Sequence, residues 1–239
     1  MRFSLITSRG SGRPANAPTR RLGLVAVAAC GLLAGAVGPA SLAPVGLGPG
    51  AASAKTITLS SGHVDAVAAR VVGGRLRFQV KDDTGSRVRW RRPSDIVIRV
   101  GNAARYRLPN GRALAFIGRP GQTVWLIPQT QKRGVVWAGW NTEQVSTRQL
   151  RGPVGWRLDR VRGPGHVAIY QTGSFGTPNV LFDSAQRTPQ SRTIPLGVHA
   201  HGNWSFTARG TYRMTFTISA TTQAGKRLSD TRTLTLRVG

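Results

Sequence analysis

The chain has 239 residues, with 34 Lys and Arg against eight Asp and Glu, a formal charge of +26, and one cysteine. A single thiol, Cys30, excludes a disulfide framework and a zinc site built from several cysteines. The charge favours anionic partners. The arginines are strewn along the chain, with no compact basic block interleaved with aromatics, so no nucleic-acid role is expected.

Residues 1–21 hold five arginines and no acid, and residues 22–37, LGLVAVAACGLLAGAV, are an unbroken apolar run. A small-residue stretch rich in Pro and Gly ends in Ala52-Ser53-Ala54. This is the layout of a secretory signal with a disordered leader over 1–54. The run is shorter than the roughly 20 residues of a spanning helix, and Pro39 interrupts it, so cleavage after Ala54 is expected, with an uncleaved anchor as the alternative. Thr19 to Leu24, TRRLGL, loosely matches a twin-arginine signal, which leaves the export route open. Val27-Ala28-Ala29-Cys30 resembles a lipoprotein box, but apolar residues follow the cysteine where a polar tether belongs. The remaining 55–239 would keep 29 Lys and Arg against eight acids and no thiol.

Beyond the leader the pattern is alternation punctuated by turns. RVVGGRLRFQV, 70–80, reads as two strands around Gly73-Gly74, with Leu76, Phe78 and Val80 inward. DIVIRV (95–100) alternates Ile96, Ile98 and Val100. QTVWLIPQ (122–129), HVAIYQT (166–172) and NVLFDSA (179–185) are further strands. In GTYRMTFTISA (210–220), Tyr212, Met214, Phe216 and Ile218 share a face. TRTLTLRVG (231–239) returns with Leu234, Leu236 and Val238 inward. Gly210-x-Tyr212 matches the tyrosine-corner position of immunoglobulin-like sandwiches. The expected fold is therefore all-β, one or two antiparallel immunoglobulin-like β-sandwiches. The glycine-rich stretch 130–165 suggests a boundary, giving modules 55–150 and 151–239, with a single larger sandwich over 55–239 as the alternative.

The histidines are His63, His166, His199 and His201. Residues i and i+2 of a strand point to one side, so LGVHAHGNWSF (196–206) presents His199 and His201 together. GHVDA (62–66) does the same with His63 and Asp65. Together the pairs would make a shell of three nitrogens and one oxygen for zinc or manganese. The alternative is a pair of packed histidines. Enzymes that use His-x-His are each missing a part: a cupin wants a Glu shortly after the pair, and copper-zinc superoxide dismutase chemistry needs about six histidines. No nucleophile elbow supports a serine triad, so no enzymatic activity is expected. VVWAGWNTEQV (135–145) places Trp137 and Trp140 before Glu143, one of the eight acids. The tryptophans read as core or as a ligand-facing wall, and Glu143 as an outlying metal ligand. Trp204 reads as core.

GHVD (62–65), FIGRPGQTVWLIPQTQ (116–131), WAGWNTE (137–143), GPG (163–165) and HAHGNWSFTARGTY (199–212), in this order, resemble the actinobacterial surface-anchored protein family, also called choice-of-anchor M domain proteins. The likeness covers roughly 60–239. It implies an exported cell-surface or secreted protein without enzymatic activity. It also implies a binding role accessory to metal uptake, with metal ABC transporter components as partners and a metal at His63, Asp65, His199 and His201. Members often carry a C-terminal sorting signal, whereas Gly239 here follows the last predicted strand. Free secretion, or retention on an anionic cell-envelope polymer or lipid through the arginines, is expected instead.

Overall fold

The computed structural model describes residues 56–239; the expected leader, with its twin-arginine motif, Cys30 and cleavage point, lies outside them. Sixteen strands follow one another: β1 (Ile57–Leu59), β2 (Gly62–Val72), β3 (Arg75–Asp83), β4 (Arg89–Arg91), β5 (Ile96–Val100), β6 (Arg105–Arg107), β7 (Thr123–Ile127) and β8 (Val136–Asn141), then β9 (Leu150–Arg162), β10 (Val167–Thr172), β11 (Pro178–Asp183), β12 (Gln190–Ile194), β13 (His199–His201), β14 (Asn203–Phe206), β15 (Gly210–Thr222) and β16 (Arg227–Val238). Three short 3-10 turns are the only helical pieces among the described residues, and no helix there is long and apolar enough to cross a membrane.

The all-β expectation is met, and the alternation explains why. Leu76, Phe78 and Val80, then Ile96, Ile98 and Val100, are all buried, as are Tyr212, Met214, Phe216 and Ile218 opposite Leu234, Leu236 and Val238. Gly73 and Gly74 take φ of 58° and 70° between the paired Val72 and Arg75, the two positive angles that a type I′ hairpin turn demands. Tyr212 closes a tyrosine corner: its Oη donates to the Ala208 carbonyl at 2.8 Å and accepts from the Ala208 amide at 3.2 Å.

Three sheets form, in the orders β1-β5-β16-β15-β9-β12, β11-β10-β14-β7-β6 and β13-β8-β2-β3-β4. Most pairings are antiparallel. β5, however, runs parallel to both β1 and β16, and β2 runs parallel to β8. Parallel neighbours need long crossovers, and the chain supplies one of more than sixty residues between β2 and β8. The glycine-rich stretch 130–165 is not irregular: it holds β8 and the 13-residue β9. One continuous buried cluster runs from Leu59 to Val238, joining residues on both sides of position 150, and Trp156, Phe182 and Phe216 pack at its centre. A smaller cluster holds Leu108, Ile117, Val124, Ala168 and Tyr170.

Candidate metal centre

Strand β8 positions the site. Trp137, Gly139 and Asn141 alternate onto one face, and Val136, Ala138 and Trp140 onto the other. On one side of β8 the parallel register sets His63 beside Trp137 and Asp65 beside Gly139. On the other the antiparallel register sets His199 beside Asn141 and His201 beside Gly139. Strand β3 adds Asp83 opposite His63 and Lys81 opposite Asp65. The two histidine-bearing motifs, far apart in sequence, thus meet across a single strand. Gly139 is what lets them meet. A Cβ there would lie 2.6 Å from the Ala200 carbonyl oxygen and 2.8 Å from two atoms of the His201 ring. β2 also carries one extra residue just after Asp65, where the register to both neighbours shifts. Such bulges recur where a strand must aim a side chain, and Asp65 is wholly buried.

His63, Asp65, His199 and His201 each offer one ligand atom, all within 4.8 Å of one another. The three imidazole rings have centroids 4.9–5.1 Å apart. His63 Nε2 is 2.9 Å from His199 Nε2, and Asp65 Oδ1 is 2.9 Å from His199 Nε2 and 3.3 Å from His63 Nε2. The edge of a tetrahedron around zinc, with bonds of about 2.0–2.1 Å, is roughly 3.3 Å. These three atoms sit near that spacing, around one point.

The remaining lone pairs are accounted for asymmetrically. Asp65 Oδ2 accepts from Asn141 Nδ2 at 3.0 Å and lies 3.6 Å from Lys81 Nζ, whereas buried Oδ1 faces no donor beyond the His63 and His199 Nε2 atoms. Both ring nitrogens of His201 are buried and unpartnered as well. Behind the rings stand carboxylates: Asp83 Oδ2 is 3.4 Å from His63 Nδ1 and Glu143 Oε2 is 3.7 Å from His199 Nδ1. Metal-binding histidines regularly use their outer nitrogen in this way. Trp137 stacks on His201 at 3.8 Å with planes 11° apart and donates its Nε1 to the Gln129 carbonyl at 2.7 Å.

Charge follows the geometry. Hydrogen bonding to Asp65 raises the His63 pKa above its usual value against the opposing cost of burial. Burial pushes the Asp65 carboxyl up, but His63, His199 and Lys81 outweigh it and hold it below the usual range. Burial drives His201 down to about 4, with His63 and His199 adding to the fall, so its imidazole is neutral at ordinary pH.

Of the residues singled out from sequence, four converge and one stands apart. Glu143 faces the outer nitrogen of His199 and accepts from Asn141 Nδ2 at 2.6 Å. A carboxylate on that side of the ring is not placed to share an ion with Nε2, so Glu143 stands behind His199, outside the group of four. Trp137 is an aromatic wall of the site, Trp140 packs on Trp156 at 5.2 Å, and Trp204 is fully buried. His166 is elsewhere, bound through Nε2 to Asp183 at 2.5 Å. Lys81, Asp83, Gly139 and Asn141 were not foreseen. Their signal was there: each lies two residues from a site neighbour in a strand. Comparisons with models of known families, with curated proteins and with solved structures return no match for the chain.

Proposed function

We propose that this is an exported, non-enzymatic cell-surface or secreted protein that binds a divalent metal through His63, Asp65, His199 and His201. The observation that carries the reading is the convergence of three imidazoles on one buried carboxylate oxygen that faces no donor but imidazole nitrogens. Nitrogen-rich donors suit zinc better than manganese, which prefers carboxylate and water ligands. Asp65 binds through Oδ1 alone, because Asn141 and Lys81 hold Oδ2. Four protein ligands complete a tetrahedral shell, the pattern of sites that hold zinc and leave no position for a reacting water. An accessory role in zinc or manganese uptake beside a metal ABC transporter is the use that fits the motif resemblance to actinobacterial surface-anchored proteins.

The test is zinc and manganese titration of the purified protein beside a His199→Ala, His201→Ala double variant. Tight zinc binding in the parent, weaker manganese binding, and loss of both in the variant are expected. Equal zinc affinity in the two proteins would falsify the assignment.

A further inference from the structure

The arginines, strewn in sequence, are gathered in space. Outward positions of the six-stranded sheet carry Arg99 on β5, Arg237 and Arg227 on β16, Arg213 on β15, and Arg162, Arg160, Arg157 and Arg151 on β9, all exposed. One acid shares that face, Asp159, which bonds Arg157 Nε at 2.5 Å and the Thr217 hydroxyl at 2.6 Å. Between the arginines runs a ladder of hydroxyls, with Thr215 and Thr233 in contact at 2.9 Å and Thr217 and Thr231 at 2.7 Å. Two registers set arginine directly opposite arginine: Arg213 with Arg162 and Arg237 with Arg99. Like charges so placed destabilise a sheet, and a bound anion removes that cost. Over Gly155 the face sinks into a cleft of about 510 Å³, lined by Arg157, Arg227, Ser191, Thr193 and Ser219 and by no carboxylate.

We propose that this face binds a linear phosphate-bearing polymer. Arginine forks and serine or threonine hydroxyls are the groups that contact phosphate oxygens. Outward positions recur about 7 Å apart along a strand and about 4.8 Å between strands, so a flexible chain laid across the sheet meets a guanidinium at short, repeated intervals. Among the described residues the large exposed apolar ones are Val72, Val88, Tyr106 and Phe175, none of them on this face. It therefore offers neither a stacking platform for bases nor an apolar wedge for a bilayer. The occupant is a phosphodiester chain without bases. The surface lies on a different sheet from the histidine cluster, so its binding does not depend on metal.

The experiment measures binding of labelled poly(glycerol phosphate) to the purified protein as salt is raised. It compares Arg162→Thr/Arg213→Thr/Arg227→Thr/Arg237→Thr with a charge-matched control, Arg105→Thr/Arg107→Thr/Arg112→Thr/Arg119→Thr. The face variant should bind at least about tenfold more weakly, and its slope of log affinity against log salt should flatten by about three, near 0.7 for each phosphate no longer neutralised. Its melting temperature should be no lower, since two like-charge pairs are relieved, and its zinc affinity should be unchanged. Equal weakening in the control would reduce the effect to net charge and overturn the proposal. Equal or tighter parent binding to single-stranded DNA, to polygalacturonate or to phosphatidylglycerol vesicles would overturn it too.

Discussion

Gly139→Ala separates a built metal site from a chance gathering of histidines. The substitution adds one methyl group at a position whose backbone is ordinary strand, so any effect comes from space. Its Cβ would lie 2.6 Å from the Ala200 carbonyl oxygen and 2.8 Å from His201 Cε1 and Nδ1, where ordinary contact begins at 3.4 Å. Strand β13 must therefore retreat by about 0.8 Å, or the His201 ring must swing aside. Zinc–ligand distances tolerate only about 0.2 Å, so His201 leaves the shell. The expected cost is on the order of 100-fold in zinc affinity, or about 2.7 kcal/mol, the upper range for disturbing a ligand's support. The assay is competition against a chromophoric zinc chelator, with melting of the metal-free protein as a check on folding. Gly85→Ala is the control, because nothing lies within 4 Å of a Cβ there. A folded Gly139→Ala protein that binds zinc within about twofold of the parent would refute the spatial argument.

Asp83→Asn should lower zinc affinity about tenfold and barely move the melting point, because Asp83 acts only through the outer nitrogen of His63; an unchanged zinc titration would remove that role. Acid should destabilise the metal-free protein through His201. Its folded pKa is about 4 against an ordinary 6.5, so the unfolded chain gains a proton that the folded chain refuses, and stability falls as pH drops through that window. His63 acts in the opposite sense: its raised pKa gives stability fully present below 6.5 and lost as pH rises through the folded value. Denaturant melts at pH 7 and pH 5 should show a smaller acid loss in His201→Gln than in the parent, and equal losses would contradict burial as the cause. Tyr212→Phe should cost about 1 kcal/mol by removing the corner hydroxyl, measured as a shift in the denaturant midpoint with an unchanged slope.

Much of the fold was legible because alternation reports burial directly. The hairpin at Gly73-Gly74 and the pair β15–β16 carried strict period-two patterns and turn residues of the right kind. β9 was not legible: its sequence, LRGPVGWRLDRVR, breaks alternation with Gly152, Pro153, Gly155 and an extra residue where its register to β15 shifts. Turn residues there mark bulges inside a long strand, where the sequence alone suggests a boundary or a single larger sandwich. For the site, spacing within a strand gave two pairs, but nothing local encodes which strands become neighbours. The parallel pairing of β2 with β8 is a long-range choice made by the whole core. Gly139 was invisible for the same reason: its role is to leave space between two strands that sequence could not place.

The few acids sharpen both readings. Asp82, Asp95, Asp159 and Asp230 each pair with a nearby arginine, and Asp183 pairs with His166. The other three, Asp65, Asp83 and Glu143, surround the histidine cluster, with Lys81 the one cation bonded among them. With neutral imidazoles, that local set sums to minus two, the charge a divalent ion neutralises. Without an ion, a proton shared between His63 and Asp65 offsets one of those two charges, and that hydrogen bond is why His63 is raised while burial keeps His201 neutral. A chain this basic would repel a divalent cation at long range. On the metal reading proposed above, an ion would enter where three of its carboxylates are concentrated, while the six-stranded sheet keeps eight outward arginines and a single acid, a face suited to a partner of the opposite sign.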